Sequence, residues 1–192
     1  MNPLDEKAKF LERDFNQCFD QMRHYDTQII DIFKFSLTFY TFIIASIITL
    51  FELQKTHHLN TENSMVALIL FTILAGLLML CLILRNRLYF VKVTQYINEH
   101  RAFYLRDNPL QFTNQTHMYT DPARPNLFHP VSSHALLVYI LAIFNASLLV
   151  LLFNLLFNAF LWILSLVIFL LFILVQLLMI RILLKTHKEF KA

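Results

Sequence analysis

The chain has 192 residues, of which 57% are hydrophobic, with 20 Phe, one Gly, a mean hydropathy of +0.56 and a formal net charge of +3. That composition lies outside the soluble globular range and reads as an integral membrane protein. So small a net charge excludes nucleic acid as the expected partner.

The opening segment, residues 1–34, is interrupted by Asp5, Glu6, Lys7, Lys9, Glu12, Arg13 and Asp14 and has no apolar core of signal-peptide type. Leu11, Phe15, Cys18, Met22, Tyr25 and Ile29 follow at alternating steps of four and three, which predicts an amphipathic helix with one narrow apolar seam. No Gly or Pro separates it from the apolar run Phe35–Phe51, so one helix is expected to continue from the cytoplasm into the bilayer. A hydrocarbon core of roughly 30 Å takes about 20 helical residues. Residues 35–51 and 65–84 therefore predict a transmembrane hairpin (35–84) with an outer loop at 52–64.

Residues 85–134 read as a second cytoplasmic helix and a Pro-rich loop. Tyr89, Val93, Tyr96, His100 and Phe103 repeat the seam spacing before Asn108-Pro109 stops the helix. The segment 107–133 carries Pro109, Pro122, Pro125 and Pro130, and its apolar Phe112, Met118, Tyr119, Leu127 and Phe128 suit folding back on the helices or meeting a partner.

Residues 135–180 contain no Asp, Glu, Lys, Arg or His. As one helix they would reach about 69 Å, so they read as a second transmembrane hairpin. The polar cluster Asn154–Asn158 places the turn between spans 135–153 and 159–180, with Trp162 as interfacial anchor. A basic tail, 181–192, follows. Of the sixteen Lys and Arg residues only Lys55 falls on the outer side of this plan. Both termini are therefore expected in the cytoplasm, with a plasma or inner membrane as the setting. The sequon at Asn114 would then carry no sugar.

The expected fold is an all-α membrane protein with four transmembrane helices and cytoplasmic helical extensions of the first two spans. Small residues at helical spacing, Thr38, Thr41, Ala45 and Thr49 on the first span, Thr72 and Gly76 on the second, and Ala142 and Ala146 on the third, suit close helix packing. Three intramembrane polar side chains stand out, namely Thr41, Asn145 and Gln176. The last two require hydrogen-bond partners in a medium without water.

Eight histidines include His57 and His58 near Glu62, and His117, His129 and His134, but none falls in metal-ligand spacing; His134 suits a cap at the start of the third span. Cys18 and Cys81 form no disulfide or metal motif and read as packing residues. No nucleophile–base pair, paired carboxylates or Gly-rich phosphate loop is present, and no span carries a charge, so neither an enzyme, a cofactor nor ion-coupled transport is expected.

The expected function is a non-enzymatic membrane subunit: an anchor, sensor or effector that fits a stress or host-defence setting. Its cytoplasmic stalk would assemble it as a homo-oligomer or with a cytosolic protein through Leu11, Phe15, Cys18, Met22, Tyr25, Ile29, Tyr89, Val93, Tyr96 and Phe103. The alternative is an oligomeric ion pore or membrane-permeabilising effector with Asn145 or Gln176 on the axis.

Overall fold

The computed structural model describes residues 3–106, 114, 119–157 and 162–189, without the side chains of 3–5, 7 and 185–189. Four helices follow in chain order: α1 (Pro3–His57), α2 (Glu62–Arg106), α3 (Ser133–Phe157) and α4 (Trp162–Glu189). All four are long and apolar enough to cross a membrane, and no strand occurs among the described residues.

Continuity and breaks follow from local chemistry. Pro3 is the first residue of α1, the position where its missing N–H costs nothing, and no later Gly or Pro interrupts the 55-residue helix. The helix stops at His57, after which His58 adopts φ 53°, a left-handed position usually given to Gly. Thr61 precedes α2; its carbonyl accepts from the Met65 N–H at 3.0 Å, and its hydroxyl donates to the Leu50 carbonyl at 3.1 Å. Glu62 in the first turn complements the helix dipole.

The start of α3 is capped by Ser132, whose hydroxyl accepts from the Ala135 N–H at 3.2 Å. This corrects the expected capping role of His134, which is instead buried one residue inside the helix. A second correction concerns the turn expected at 154–158. Residues 154–157 are helical, because without Gly or Pro nothing breaks the run. The Asn154 carboxamide accepts from the Ser165 hydroxyl at 3.2 Å and so joins α3 to α4 rather than ending α3. Residues 158–161, with Asn158 and the expected start of the last span, lie outside the described residues.

The chain divides into two compact units: Met1–Ile29 with Arg85–His129, and Ile30–Leu84 with Pro130–Ala192. In the second unit the inward face of α1 is Ser36, Tyr40, Ile43 and Ile47, and α2 contributes Met65, Ile69, Ile73, Leu80 and Ile83. From α3 come Val138, Leu141, Ala142, Ala146 and Leu148, and from α4 Ile180. The outward faces are just as apolar, with Phe42, Ile48, Phe71, Leu74, Leu78, Leu166 and Leu170 all exposed. A bundle apolar both inside and out is what a lipid solvent requires.

In the first unit α1 and α2 run antiparallel, since Asp14 meets Tyr96 and His100 while Tyr25 stacks on Tyr89 at 5.3 Å. The described part of the Pro-rich segment folds back along α2. Asn98 donates to the carbonyls of Asp121 and Arg124 at 3.1 and 2.8 Å, Gln95 to those of Ala123 and Pro125 at 3.3 and 3.2 Å, and Arg87 to that of Asn126 at 3.4 Å. A segment without a regular ladder leaves its carbonyls orphaned, and these three side chains satisfy them. Asp121 tightens the turn by accepting from the Ala123 N–H at 2.8 Å. Phe112, Met118, His117 and the rest of the sequon lie outside the described residues.

Candidate functional sites

Two constellations concentrate polar and aromatic side chains, one in each unit. The first lies between the membrane-length segments and links side chains of α1, α3 and α4. Tyr40 donates its hydroxyl hydrogen to Asn145 Oδ1 at 2.7 Å. Asn145 Nδ2 donates to Gln176 Oε1 at 3.1 Å, and Gln176 Nε2 donates to the Ala142 carbonyl at 3.1 Å. The donors point one way, from α1 through α3 to α4 and back to the α3 backbone. Asn145 and Gln176 are 0% and 1% exposed. Each polar group therefore finds inside the chain the partner that lipid would deny it.

Gly76 of α2 explains how the cluster closes. A Cβ at this position would collide with the Asn145 carboxamide and the Tyr40 hydroxyl. The single glycine of the chain thus stands where α2 backs directly onto the hydrogen-bond chain. Tyr40 also stacks on Phe144 at 5.2 Å, which holds the ring that carries the donor.

The spacing-based expectations divide here. Asn145 and Gln176 meet one another, and Thr72, Ala142 and Ala146 face inward with them. The Thr38, Thr41, Ala45 and Thr49 stripe does not pack within the chain; these residues are exposed. Thr41 donates to the Leu37 carbonyl at 2.9 Å, as Thr38 and Thr49 do to Lys34 and Ala45 at 3.1 and 3.0 Å, so their hydroxyls are satisfied within α1. Tyr40 was the member the sequence did not announce, because a tyrosine in an apolar run reads as an interfacial or packing aromatic.

The second constellation is in the unit formed by 3–29 and 85–129. Phe15, Cys18, Met22 and Tyr25 are half-buried and Ile29 is fully buried, with Leu11 half-buried at the far end. Facing them, Val93 is half-buried, whereas Tyr89 and Tyr96 are partly exposed and Phe103 is 62% exposed. Phe103 therefore does not join the α1–α2 seam. The buried side of α2 also includes Leu88, Val91, Ile97 and Asn98, the stripe on which residues 121–126 lie.

At one end of this unit, Ala8, Lys9, Glu12 and Phe15 of α1 and Arg101, Tyr104 and Leu105 of α2 line an open groove of about 760 Å³. The Arg101 guanidinium lies over the rings of Phe15, Phe19 and Tyr119 at 5.9, 5.5 and 5.1 Å. Phe10, Phe103 and Tyr104, 57%, 62% and 47% exposed, add uncovered aromatic surface on the same two helices.

Next to the groove, Tyr96 donates its hydroxyl to Asp14 Oδ2 at 2.9 Å, and His100 Nε2 lies 3.6 Å from the same oxygen. The hydrogen bond to Asp14, followed by burial and nearby negative charge, raises the Tyr96 hydroxyl pKa and keeps it a donor. Burial, then the Asp14 carboxylate, raises the pKa of the Cys18 thiol one turn away. The Arg87 pKa is lowered by burial, an effect opposed by the Asp26 carboxylate.

No group of three or more His, Cys, Asp or Glu side chains suited to a metal ion occurs among the described residues, and both cysteines are free. No protein-family model, curated protein or solved structure matches the chain, so the functional reading rests on this geometry alone.

Proposed function

We propose that the chain is a non-enzymatic integral membrane subunit whose paired α1–α2 extension docks a further protein, either a second copy or a cytosolic companion. The basic-residue asymmetry supports placing both termini, and with them this extension, on the cytoplasmic side of a plasma or inner membrane. The observation that carries the reading is the uncovered aromatic surface of Phe10, Phe103 and Tyr104 on the two helices whose Arg101 and Tyr104 line the groove. Exposed aromatics and Arg at a concave site are the composition of interaction hot spots. Anchor, sensor and effector roles, including one in stress or host defence, all use such a face.

The closed hydrogen-bond chain favours this reading over conduction, since Asn145 and Gln176 spend their donors on partners within the bundle. A pore reading draws on a different feature, the outward Thr38, Thr41 and Thr49 stripe of α1, which copies arranged around an axis would turn toward one another. Leak-free liposomes containing folded protein count against constitutive conduction.

The docking reading is tested by Phe10→Asp and Phe103→Asp, which alter exposed side chains and leave the α1–α2 seam intact. Each variant is expected to insert normally and to lose the complex seen with the wild-type chain. Complexes of unchanged size and yield in both variants overturn the assignment.

A further inference from the structure

We propose that His100 and Asp14 form a proton-operated latch that sets the position of Phe15 and thereby the wall of the groove. The inference rests on the docking reading only for its consequence at the groove, not for the latch itself. His100 is 9% exposed, and its Nδ1 is buried with no hydrogen-bond partner among the described residues. Its Nε2, at 3.6 Å from Asp14 Oδ2, is beyond ordinary hydrogen-bond range, and that oxygen already accepts from Tyr96. A buried imidazole with one nitrogen unpartnered and the other only loosely engaged by a carboxylate is an uncommon arrangement and asks for a cause.

Protonation supplies one. Histidine changes charge in the physiological range, and an imidazolium beside a carboxylate contracts to about 2.8 Å through a charge-assisted bond. The Phe15 ring is stacked on this same imidazole at 6.1 Å, and Phe15 follows Asp14 in sequence. Drawing His100 onto Asp14 therefore moves the surface against which Phe15 rests.

The groups around His100 fix the sign. On α1 these are Asp14 and, one turn on, Cys18; on α2 they are Tyr96, Glu99 and Arg101, and Tyr119 of the following segment touches Arg101. Asp14 is the carboxylate in contact with the ring, at 3.6 Å, and it attracts an imidazolium directly. Arg101, whose guanidinium rests over the Phe15 ring at 5.9 Å, is the cation of the same helix that repels an imidazolium. The Arg101 contact with Phe15 does not displace Asp14 from the imidazole, so acid tightens the α1–α2 contact and neutral pH relaxes it.

Hydrogen exchange of the full chain in lipid nanodiscs, without any partner, tests the latch at about pH 5.5 and about pH 7.5, after correction for the intrinsic pH dependence of exchange. Amides of 10–20 and 96–104 are expected to be about threefold to tenfold better protected at the lower pH, the size of a partly buried ion pair. His100→Gln and Asp14→Asn should abolish the difference, while His24→Gln, on the exposed part of α1, retains it. A wild-type chain with no difference, or an Asp14→Asn variant that keeps it, overturns the latch. If His100→Gln does not fold, the isosteric Asp14→Asn decides alone. Since no companion is present, failure of the latch and failure of the docking reading are read separately.

Discussion

At the scale of single residues, the strongest constraint is the contact of Gly76 with the Tyr40–Asn145 hydrogen bond. Gly76→Ala places a methyl against two polar atoms that have nowhere to retreat without losing partners. It should destabilise the bundle by about 1–3 kcal/mol, the cost of overpacking a filled core, in reversible unfolding in mixed micelles. Asn145→Leu leaves the Tyr40 hydroxyl without its acceptor and Gln176 Oε1 without its donor. A loss of about 1–2 kcal/mol is expected, with Tyr40→Phe and Asn145→Leu less than additive in a double-mutant cycle. Fully additive losses would mean that the two side chains do not share a bond.

Cys18 gives a pH prediction at the same scale. Its thiol pKa is raised by burial and then by Asp14, so the reactive thiolate is scarce at neutral pH and increases only as pH rises through the elevated value. Alkylation at pH 7.5 should therefore be slower than that of an unstructured cysteine peptide. Asp14→Asn, by removing the smaller cause, should speed it modestly. A Cys18 that reacts as fast as the free peptide contradicts the burial assigned to the seam.

At the scale of elements, the long helices were legible because α1 and α2 contain no breaker where the hydrophobic pattern changes from seam to span. α3 continues through 154–157, where a turn was expected, for a physical reason: in a run without Gly or Pro, an Asn is ambiguous between ending a helix and pairing it with another. The threonine stripe misled similarly, since spacing identifies a face but not which way it points. α1 turns Ser36, Tyr40, Ile43 and Ile47 inward and leaves the threonines outside. The Pro-rich return was open in the sequence because amide side chains on α2, Gln95 and Asn98, carry no periodic signal of their own. Asn98→Ala removes two donors to that segment and should raise proteolytic nicking within 119–129 severalfold, leaving the spans protected. Unaltered cleavage would show that other contacts hold the segment down.

At the scale of the whole molecule, hydropathy and length identified four membrane-length helices, and the helical architecture follows that pattern. The membrane orientation is an inference from charge. Reporters fused to either end should both give the cytoplasmic signal, and opposite signals would reverse or break the assignment. The polar cluster was visible only in part, as two amides needing partners; the partner on α1 and the glycine that admits it emerged from packing.

The central claim is that a self-satisfied membrane bundle carries a docking extension. Native mass spectrometry of the tagged chain, gently extracted from its own host, tests this most directly. The account predicts a defined complex, either copies of this chain or a stoichiometric cytosolic companion, that disappears in Phe103→Asp. A monomer with bound lipid and nothing else, recovered under conditions that preserve other membrane complexes, would contradict it.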